Sequence, residues 1–474
     1  MSNRTERDRS RRVARAALIT ACICVASGCN GGSNPAQTTP PPTGLARLNH
    51  LVVIVLENWS FDSLYGEMAG AEGLATATIL PQVDATGAAY VTLPQTETHV
   101  PQTLPNAPFP LNTYVPLTAD TSTDLTNNFY EEQRQIHGGR MDQFVLYDAA
   151  AKGLTMGYYP TGGLPLAQEA AKYTLCDHFF HGVFGGSLQN HIFLVSAGVA
   201  QFPNAPASIK RAVLDDAGQP VPDATGKFQD GPLTPDGYVV GTLFPAGGPH
   251  PPSTPAEQLV PPQTLTTIGD RLTAKGLDWG WYSEGWNEIL SGPPLDSNGT
   301  DPATLFQYNH QPFTYFDGYG QGQPGRAHLR DESEFMTAAA NGALPAVSFV
   351  KPDGIDNEHP NYADMFAGEM HTRTLIDAVR NGPQWADTAI IVTYDENGGF
   401  WDHVTPPAGD RFGPGTRVPT LVISPLARKG FIDGTTYDSA SILSLIEHRY
   451  GLEPLAARDA AAADMTAAFD FTQP

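Results

Sequence analysis

The stretch TAIIVTYDENGGFWDHV, residues 388–404, ends an apolar, β-branched run in two adjacent acidic residues. An apolar run of this length is typical of a strand buried on both faces of a parallel sheet. Asp395 and Glu396 then come where the strand would end. Neighbouring carboxylates repel each other, so they cost free energy unless a cation or a proton lies between them. The stretch indicates either a solvated turn or half of a metal site.

Three other apolar runs predict strands of the same buried, parallel kind. They are LNHLVVIVLEN (48–58), ALPAVSFVKP (343–352) and RVPTLVISP (417–425). Residues 369–382 and 438–451 have apolar residues at helical spacing, and they end in Asn-Gly and in Gly, which stop helices. Alternating strands and helices predict a doubly wound α/β sheet.

Residues 201–323 differ from the rest because they are rich in Pro, Gly and Asp and poor in periodic segments. Such a composition favours loops. We interpret this region as a long loop-rich insertion that covers one rim of the sheet, rather than as a separate domain.

The N-terminal stretch MSNRTERDRSRRVARAALITACICVASGC has the order of an export signal, with a basic region, an apolar run and small residues before Cys29. The apolar run is shorter than the ~20 residues that a membrane-spanning helix needs. ASGC resembles a lipoprotein box, in which Cys29 would carry a lipid that tethers the protein to a membrane; an ordinary cleaved signal is the alternative. We predict an export signal at 1–28, a Pro/Thr-rich tether at 29–46 and a globular domain at 47–474. The expected location is periplasmic, on the outer membrane as a lipoprotein, or secreted.

Charge and cysteine content limit the classes of partner. The first 28 residues carry six Arg and two acidic residues, so their removal would take the net charge from −23 to −27. A surface this acidic argues against nucleic-acid binding and against charge-driven adhesion to anionic lipid. Cys22 and Cys24 would leave with the signal, and if Cys29 is lipidated only Cys176 remains. Cys176 is then expected to be a buried apolar residue without a disulfide partner.

A second pair of polar residues, Glu57 and Asn58, follows the first predicted strand. In open α/β sheets, sites form beyond the carboxyl ends of the strands, so this pair and Asp395-Glu396 are expected at one edge. Three carboxylates and an amide oxygen suit one hard divalent ion such as Ca²⁺, Mg²⁺ or Mn²⁺, and Zn²⁺ if a His joins them. Two unrelated polar strand ends in water are the alternative.

A candidate nucleophile lies in GVFGGSLQNH, residues 182–191. Two glycines before Ser187 allow a tight turn that presents the hydroxyl, which a metal ion can help to deprotonate. A flexible loop is the alternative. The esterase pattern G-x-S-x-G is absent because Gln189 replaces its second Gly, which disfavours a Ser-His-Asp hydrolase.

Four histidines occur in polar contexts flanked by Gly or Pro, and they are candidates for proton transfer or anion contacts near neutral pH. A lone His in a loop is more often a surface residue, so each depends on the others for support. They are His137, His310, His359 and His403.

Several blocks of the chain together resemble those of the bacterial phosphoesterase family, which contains nonspecific phospholipases C and a group of acid phosphatases. The blocks appear in family order over nearly the whole chain beyond the tether. They are HLVVIVLENWSFDSLYG (50–66), HGGRMDQFV (137–145), LPAVSFVKPDGIDNEHP (344–360), TYDENGGFWDHVTPP (393–407) and RFGPGTRVPTLVISPLARKGFID (411–433).

The resemblance implies an α/β/α sandwich related to the alkaline phosphatase superfamily and a phosphoryl-transfer enzyme with one bound metal ion. It places Glu57, Asn58, Asp395 and Glu396 on the family's metal-site positions. Ser187 falls on the nucleophile, and the phosphate-site histidines fall on His137, His310 and His359.

The chain departs from the phospholipase members in ways that favour a phosphatase. Ser187 replaces their Thr, as in the acid phosphatase branch, and Asn309 stands for one His of a His-His pair. The large C-terminal extension of many phospholipase members has no counterpart. We therefore expect an exported, metal-dependent phosphoesterase that hydrolyses phosphate monoesters through a phosphoserine. A phospholipase C acting on phosphodiester head groups is one alternative, and a non-catalytic lipoprotein on a decayed phosphatase scaffold is another.

Overall fold

The computed structural model describes residues 43–120, 123–292, 295–296, 299–300 and 305–473. The predicted export signal, Cys29 and the tether up to residue 42 lie outside these residues. The last residues of the predicted tether belong to a short 3-10 helix, Gly44–Arg47. Within the described residues, no helix is both long enough and apolar enough to span a bilayer.

Strands and helices alternate along the folded part of the chain. The strands are β1 (His50–Leu56), β2 (Phe109–Pro110), β3 (Gly157–Tyr158), β4 (Thr174–Cys176), β5 (Phe179–Phe180), β6 (Trp279–Ser283), β7 (Leu329–Asp331), β8 (Val347–Lys351), β9 (Thr388–Tyr394), β10 (Thr420–Ile423), β11 (Phe431–Asp433) and β12 (Tyr437–Asp438). The α-helices are α1 (Phe61–Tyr65), α2 (Phe129–Ile136), α3 (Phe144–Tyr147), α4 (Ala167–Ala170), α5 (Ser187–Ser196), α6 (Ile268–Ala274), α7 (Trp286–Ser291), α8 (Glu332–Asn341), α9 (Met365–Arg380), α10 (Ser439–Tyr450) and α11 (Ala457–Ala461).

One large sheet organises the described residues, with the strand order β11-β4-β10-β9-β1-β8-β6-β7. The first strand lies in the middle, between β9 and β8, and it is parallel to both. The pairs β8–β6, β6–β7 and β11–β4 are also parallel. The predicted α/β class with a mostly parallel central sheet is therefore confirmed.

Strand β10 forms as predicted but runs antiparallel to both of its neighbours, β9 and β4, which corrects the expectation of a parallel strand. Parallel neighbours need a crossover, usually a helix, whereas an antiparallel strand can follow after a simple return of the chain. The connection between β9 and β10 contains no helix among its described residues, 395–419. The apolar pattern predicted burial correctly, but burial alone does not fix strand direction.

Both predicted helices near the C-terminus are present. Helix α9 begins at Met365, four residues before the predicted start. Its N-cap is Asp364, whose side chain accepts a hydrogen bond from the Ala367 backbone amide. Helix α10 has Asp438 as its N-cap and ends at Gly451, whose φ of 61° is left-handed. Cys176 is completely buried and unpaired, as expected.

The loop-rich region is shorter than predicted. Between α5 and α6 the described chain contains isolated β-bridges and a turn of 3-10 helix, Ala256–Gln258, but no α-helix and no strand of the central sheet. Strand β6 then joins the central sheet beside β8, with Trp279 and Trp281 fully buried. We missed this strand because its sequence, WGWYS, combines aromatic residues with Gly instead of the aliphatic residues that mark the other central strands.

Candidate active site

The two predicted acidic strand ends meet at one edge of the sheet. Leu56 pairs with Tyr394 in the register of β1 and β9, so Glu57 and Asp395 follow side by side. The Asn58 amide donates a hydrogen bond to Asp395 Oδ1 over 3.4 Å. All of these polar residues, including Glu396, are buried. The burial rules out two unrelated strand ends in water.

Ser187 lies against this cluster as the first residue of α5. Its Oγ donates a hydrogen bond to Glu57 Oε2 at 3.0 Å and lies 3.5 Å from Asn58 Oδ1. The first turn of a helix has amide N–H groups without helical partners, and its positive end favours anions. The Ser187 hydroxyl is therefore held between the Glu57 carboxylate and the free backbone amides of the first turn of α5. Such amides are suitable donors to a phosphate group.

The glycine turn before Ser187 packs tightly against neighbouring segments of the chain. Gly185 has a φ of +83°, and a Cβ on it would lie 2.4 Å from the Phe129 amide nitrogen. The side-chain amide of Asn190 donates to the carbonyls of Gly185 and Gly186, and Glu132 accepts from the Gly185 amide. These bonds make the glycine turn a fixed support rather than a flexible loop.

Two of the predicted histidines lie at the cluster. His359 Nδ1 lies 2.6 Å from the Pro360 carbonyl, so Nδ1 must carry the proton and donate it. His359 Nε2 then accepts from Asn58 Nδ2 at 2.9 Å, which turns the Asn58 carbonyl oxygen toward Ser187. His310 Nε2 lies 3.1 Å from Glu57 Oε1, and burial lowers the pKa of His310 to about 4.

The other two histidines have partners elsewhere in the described chain. His137 is partly exposed and its Nδ1 lies 2.7 Å from Asp142 Oδ1, so a role in the phosphate site stays a prediction. His403 Nδ1 lies 2.6 Å from Asp62 Oδ2. The buried guanidinium of Arg417 bridges Asp62 and Asp402, next to His403. This network ties the segment after β9 to α1, so the contacts of His403 in the described chain are structural.

His191 belongs to the cluster although sequence reasoning did not select it. Its Nδ1 lies 2.8 Å from the Ser187 carbonyl one turn earlier in α5, so Nδ1 carries the proton and Nε2 has a free lone pair. Its ring stacks on that of His310 at 5.4 Å. Burial lowers the pKa of His191 to about 3, so the ring is neutral at neutral pH. The spacing Ser-x-x-x-His on a helix was the available signal.

Lys351 is the second residue that sequence reasoning missed. It ends β8, is fully buried, and its Nζ lies 2.6 Å from Glu57 Oε1. The signal was a single Lys at the end of an apolar run, which identifies neither its partner nor its direction.

The carboxylates of the cluster are not equivalent. Burial alone would raise the pKa of Glu57, but His310 and Lys351 hold it well below its ordinary value. Burial, and then the charge of Glu57, raise the pKa of Asp395. Burial and the charge of Asp395 raise that of Glu396. A further positive charge is therefore needed to keep all three ionised.

The donor set fits a divalent cation. One ligand atom each from Glu57, His191 and Asp395 lies within 4.8 Å of the others. Asp395 Oδ2 and His191 Nε2 are buried without a hydrogen-bond partner among the described residues. Glu396 fits less directly, because its two oxygens accept from Asn127 Nδ2 and from the Gly398 amide. Oxygen donors with one imidazole nitrogen suit a hard ion and also Zn²⁺.

The α/β sheet and the Ser187–carboxylate edge are compatible with a hydrolase, and comparison with known proteins shows that class. The chain belongs to the Phosphoesterase family, whose model matches residues 48–453. It is thus a hydrolase that acts on phosphoric ester bonds.

Curated relatives carry the name phospholipase C. Phospholipase C A of Mycobacterium tuberculosis is 26% identical over 478 residues, which cover 92% of this chain and 79% of the relative. Non-hemolytic phospholipase C of Pseudomonas aeruginosa is also 26% identical, with 91% of this chain and 58% of the relative covered.

The solved structures found by comparison share little sequence with this chain. A phosphonate monoester hydrolase of Agrobacterium radiobacter is 11% identical, with a TM-score of 0.32 and coverage of 86% of this chain and 74% of that chain. A protein in the alkaline phosphatase superfamily from Vibrio parahaemolyticus is 12% identical, with a TM-score of 0.31 and coverage of 76% and 74%.

Proposed function

We propose that the protein is an exported phosphatase that hydrolyses phosphate monoesters through a phosphoserine at Ser187 and needs one divalent cation. The observation that carries this proposal is the hydrogen bond from Ser187 Oγ to Glu57 Oε2, at a buried carboxylate cluster and at a helix N-terminus. Membership of the Phosphoesterase family supports the reaction class.

Glu57, Asn58 and Asp395 would hold the cation beside Ser187, with His191 as a possible nitrogen ligand and Glu396 as the more remote of the predicted ligands. When bound, the cation supplies positive charge that lowers the pKa of a neighbouring hydroxyl and offsets charge on the phosphoryl oxygens. Glu57 Oε2 and Asn58 Oδ1 orient the Ser187 hydroxyl, because both lie within hydrogen-bonding reach of Ser187 Oγ.

In the first step, Ser187 Oγ gives up its proton and forms a bond to phosphorus as the bond from phosphorus to the ester oxygen breaks, so that the proton lost by Ser187 balances the one gained by the leaving alcohol. Amide groups of the first turn of α5 would bind the phosphoryl oxygens, since phosphoryl transfer depends mainly on positioning and charge. The leaving alcohol takes up a proton, and the candidate donors are His310 and His359. Burial keeps His310 neutral at neutral pH, and Nε2 of His359 accepts from Asn58 Nδ2, so either ring would first have to take up a proton itself. Water then attacks phosphorus and releases Ser187 and inorganic phosphate.

A phospholipase C is the second candidate, because the curated relatives carry that name. It would use the same nucleophile on a phosphodiester. A non-catalytic lipoprotein on the same scaffold is the third candidate. Export itself is proposed from the order of residues 1–29, and Cys29 is the candidate for a lipid tether.

Ser187→Ala tests the proposal, with p-nitrophenyl phosphate and p-nitrophenyl phosphorylcholine as competing substrates across pH. We expect the wild type to prefer the monoester and the variant to lose at least about a thousandfold in kcat, since the covalent step depends on this oxygen. Ser253→Ala, at an exposed serine, is the matched control.

Chelation followed by metal add-back separates the remaining outcomes. Loss and recovery of activity would support the cation requirement. Preference for the choline ester would move the assignment to a phospholipase C, and turnover that survives Ser187→Ala would contradict the phosphoserine. No turnover of either ester with any added ion would favour the non-catalytic alternative.

A further inference from the structure

Lys351 places a positive charge inside the candidate site. The side chain is fully buried at the end of β8, where its Nζ lies 2.6 Å from Glu57 Oε1 and donates to the Val55 carbonyl over 3.3 Å. A buried ammonium is costly unless it is paired. Glu57 provides that pairing and has its own pKa lowered by it, after the larger effect of His310.

The contacts of Glu57 are divided between its two oxygens. Oε1 faces Lys351 and His310, while Oε2 accepts the hydrogen bond from Ser187. Oε2 is therefore the oxygen beside the nucleophile, while Oε1 lies against the Lys351 ammonium and 3.7 Å from His191 Nε2. Lys351 therefore orients the Glu57 carboxylate. Among the described residues, it makes no hydrogen bond to Ser187.

The charges of the side chains at the strand ends indicate how many divalent cations the site would hold. Glu57, Asp395 and Glu396 carry three negative charges when ionised, and Lys351 removes one, so a single divalent cation would neutralise the group. Of the other acids nearby, Glu132 is paired with His181, and burial and the charge of Glu369 raise the pKa of Glu358.

We propose that Lys351 is a built-in cation that fixes Glu57 as a one-oxygen ligand and completes the charge of the site with one divalent ion. It is a positioning residue, and the inference rests on the proposed cation-dependent function. The metal preference of the site is then partly a property of Lys351, because a site without this charge would favour an ion of higher charge.

The test compares ions of different charge in the full-length protein. Affinities for Ca²⁺ and Tb³⁺ are measured by calorimetry and by sensitised terbium luminescence for the wild type, Lys351→Met and Lys351→Arg. We expect Lys351→Met to shift the preference toward Tb³⁺ by about tenfold or more, and Lys351→Arg to stay within about twofold of the wild type. Using the ratio of two affinities cancels a general loss of site integrity.

The double variant Glu57→Gln/Lys351→Met keeps the test valid if the single variant does not fold. It removes the pair together, which avoids an unpaired buried charge and restores the wild-type net charge. We expect its Tb³⁺/Ca²⁺ preference to return to within about threefold of the wild type.

The outcomes separate this inference from the proposed function. An unchanged preference in Lys351→Met, or a large shift in the double variant, would overturn the role of Lys351 while leaving the cation site intact. A wild type that binds neither ion would overturn the inference, while chelation followed by add-back of other ions, Zn²⁺ included, would decide the cation-dependent function separately.

Discussion

The carboxylate of Glu57 illustrates how much chemistry one residue of this protein connects. One oxygen accepts from the Ser187 hydroxyl, and the other faces Lys351 and His310. Its position at the end of β1 puts it between the ends of two neighbouring strands, β9 and β8. A fully buried carboxylate is tolerated only when it is paired with charged or hydrogen-bonding groups. The groups that pair with Glu57 therefore mark the location of the candidate site.

Gly185→Ala tests the turn that presents Ser187. The left-handed φ and the 2.4 Å approach to the Phe129 amide leave no room for a methyl group, so the chain must shift. We expect a loss of about 1–3 kcal/mol in the free energy of unfolding and a clear fall in kcat. Urea unfolding and steady-state kinetics measure the two effects.

Gly218→Ala is the control for this substitution. Its φ of +77° is also left-handed, but nothing lies within 4 Å of the position that a Cβ would occupy. It should show the backbone strain without the collision and without the fall in kcat. Equal kinetic parameters for the two variants would contradict the supporting role of the turn.

One cluster of ionisable side chains connects the ends of several helices and strands. His371 of α9 lies 3.0 Å from Glu332 at the start of α8 and 3.6 Å from Glu284 after β6. Asp356, in the loop after β8, lies 3.6 Å from the other ring nitrogen of His371. The same loop continues to His359, so the cluster holds one wall of the candidate site in place.

Stability is expected to fall as the pH rises through the range of this cluster. Burial and the charge of Glu332 raise the pKa of Glu284 to about 9, and burial raises that of Asp353 to about 7. The pKa of His371 is raised to about 10, because its acidic neighbours outweigh burial. Between about pH 4.5 and 9 the groups of this cluster therefore bind more protons in the native state than in the unfolded state, and their contribution to the free energy of unfolding decreases with pH.

Glu284→Gln should make that pH dependence less steep, because its side chain no longer titrates. Denaturant unfolding at pH 5, 7 and 9 measures the slope. Glu288→Gln, an exposed glutamate four residues later in the chain, should keep the wild-type slope. A slope that is the same in Glu284→Gln and wild type would contradict the raised pKa.

For the whole molecule, a bound cation should act as a stabilising ligand. The carboxylates that would hold it come from strand ends that are separated by more than 300 residues in sequence, so the binding site exists only in the native state. Ligands that bind only the native state stabilise it by about 2.7 kcal/mol at one hundred times their Kd. We expect the thermal midpoint to rise with divalent cation concentration and to fall on chelation.

Asp395→Asn should remove most of this response, since it takes away a charged ligand candidate whose Oδ2 has no other hydrogen-bond partner among the described residues. Asp84→Asn, at an exposed turn, is the control. Differential scanning fluorimetry with and without added ion is sufficient. A full response in Asp395→Asn would remove Asp395 from the cation site.

Much of the architecture was visible in local patterns. The apolar runs predicted β1, β8, β9 and β10, and the stop signals predicted the ends of α9 and α10. The polar residues after β1 and β9 predicted a shared edge, because parallel neighbours end on the same side. The family blocks then predicted the reaction class. These conclusions needed only residues that are close in sequence, or a rule that applies to every sheet of this kind.

Short-range composition and periodicity were enough to predict the α/β class, the buried strands, the paired acids and the candidate nucleophile. The antiparallel direction of β10, the place of β6 in the sheet, and the presence of His191 and Lys351 in the cluster around Glu57 became visible only in the folded chain. The tertiary structure also placed His137 beside Asp142. The physical reason is that strand order and side-chain partners arise from packing between segments distant in sequence, which no local pattern records.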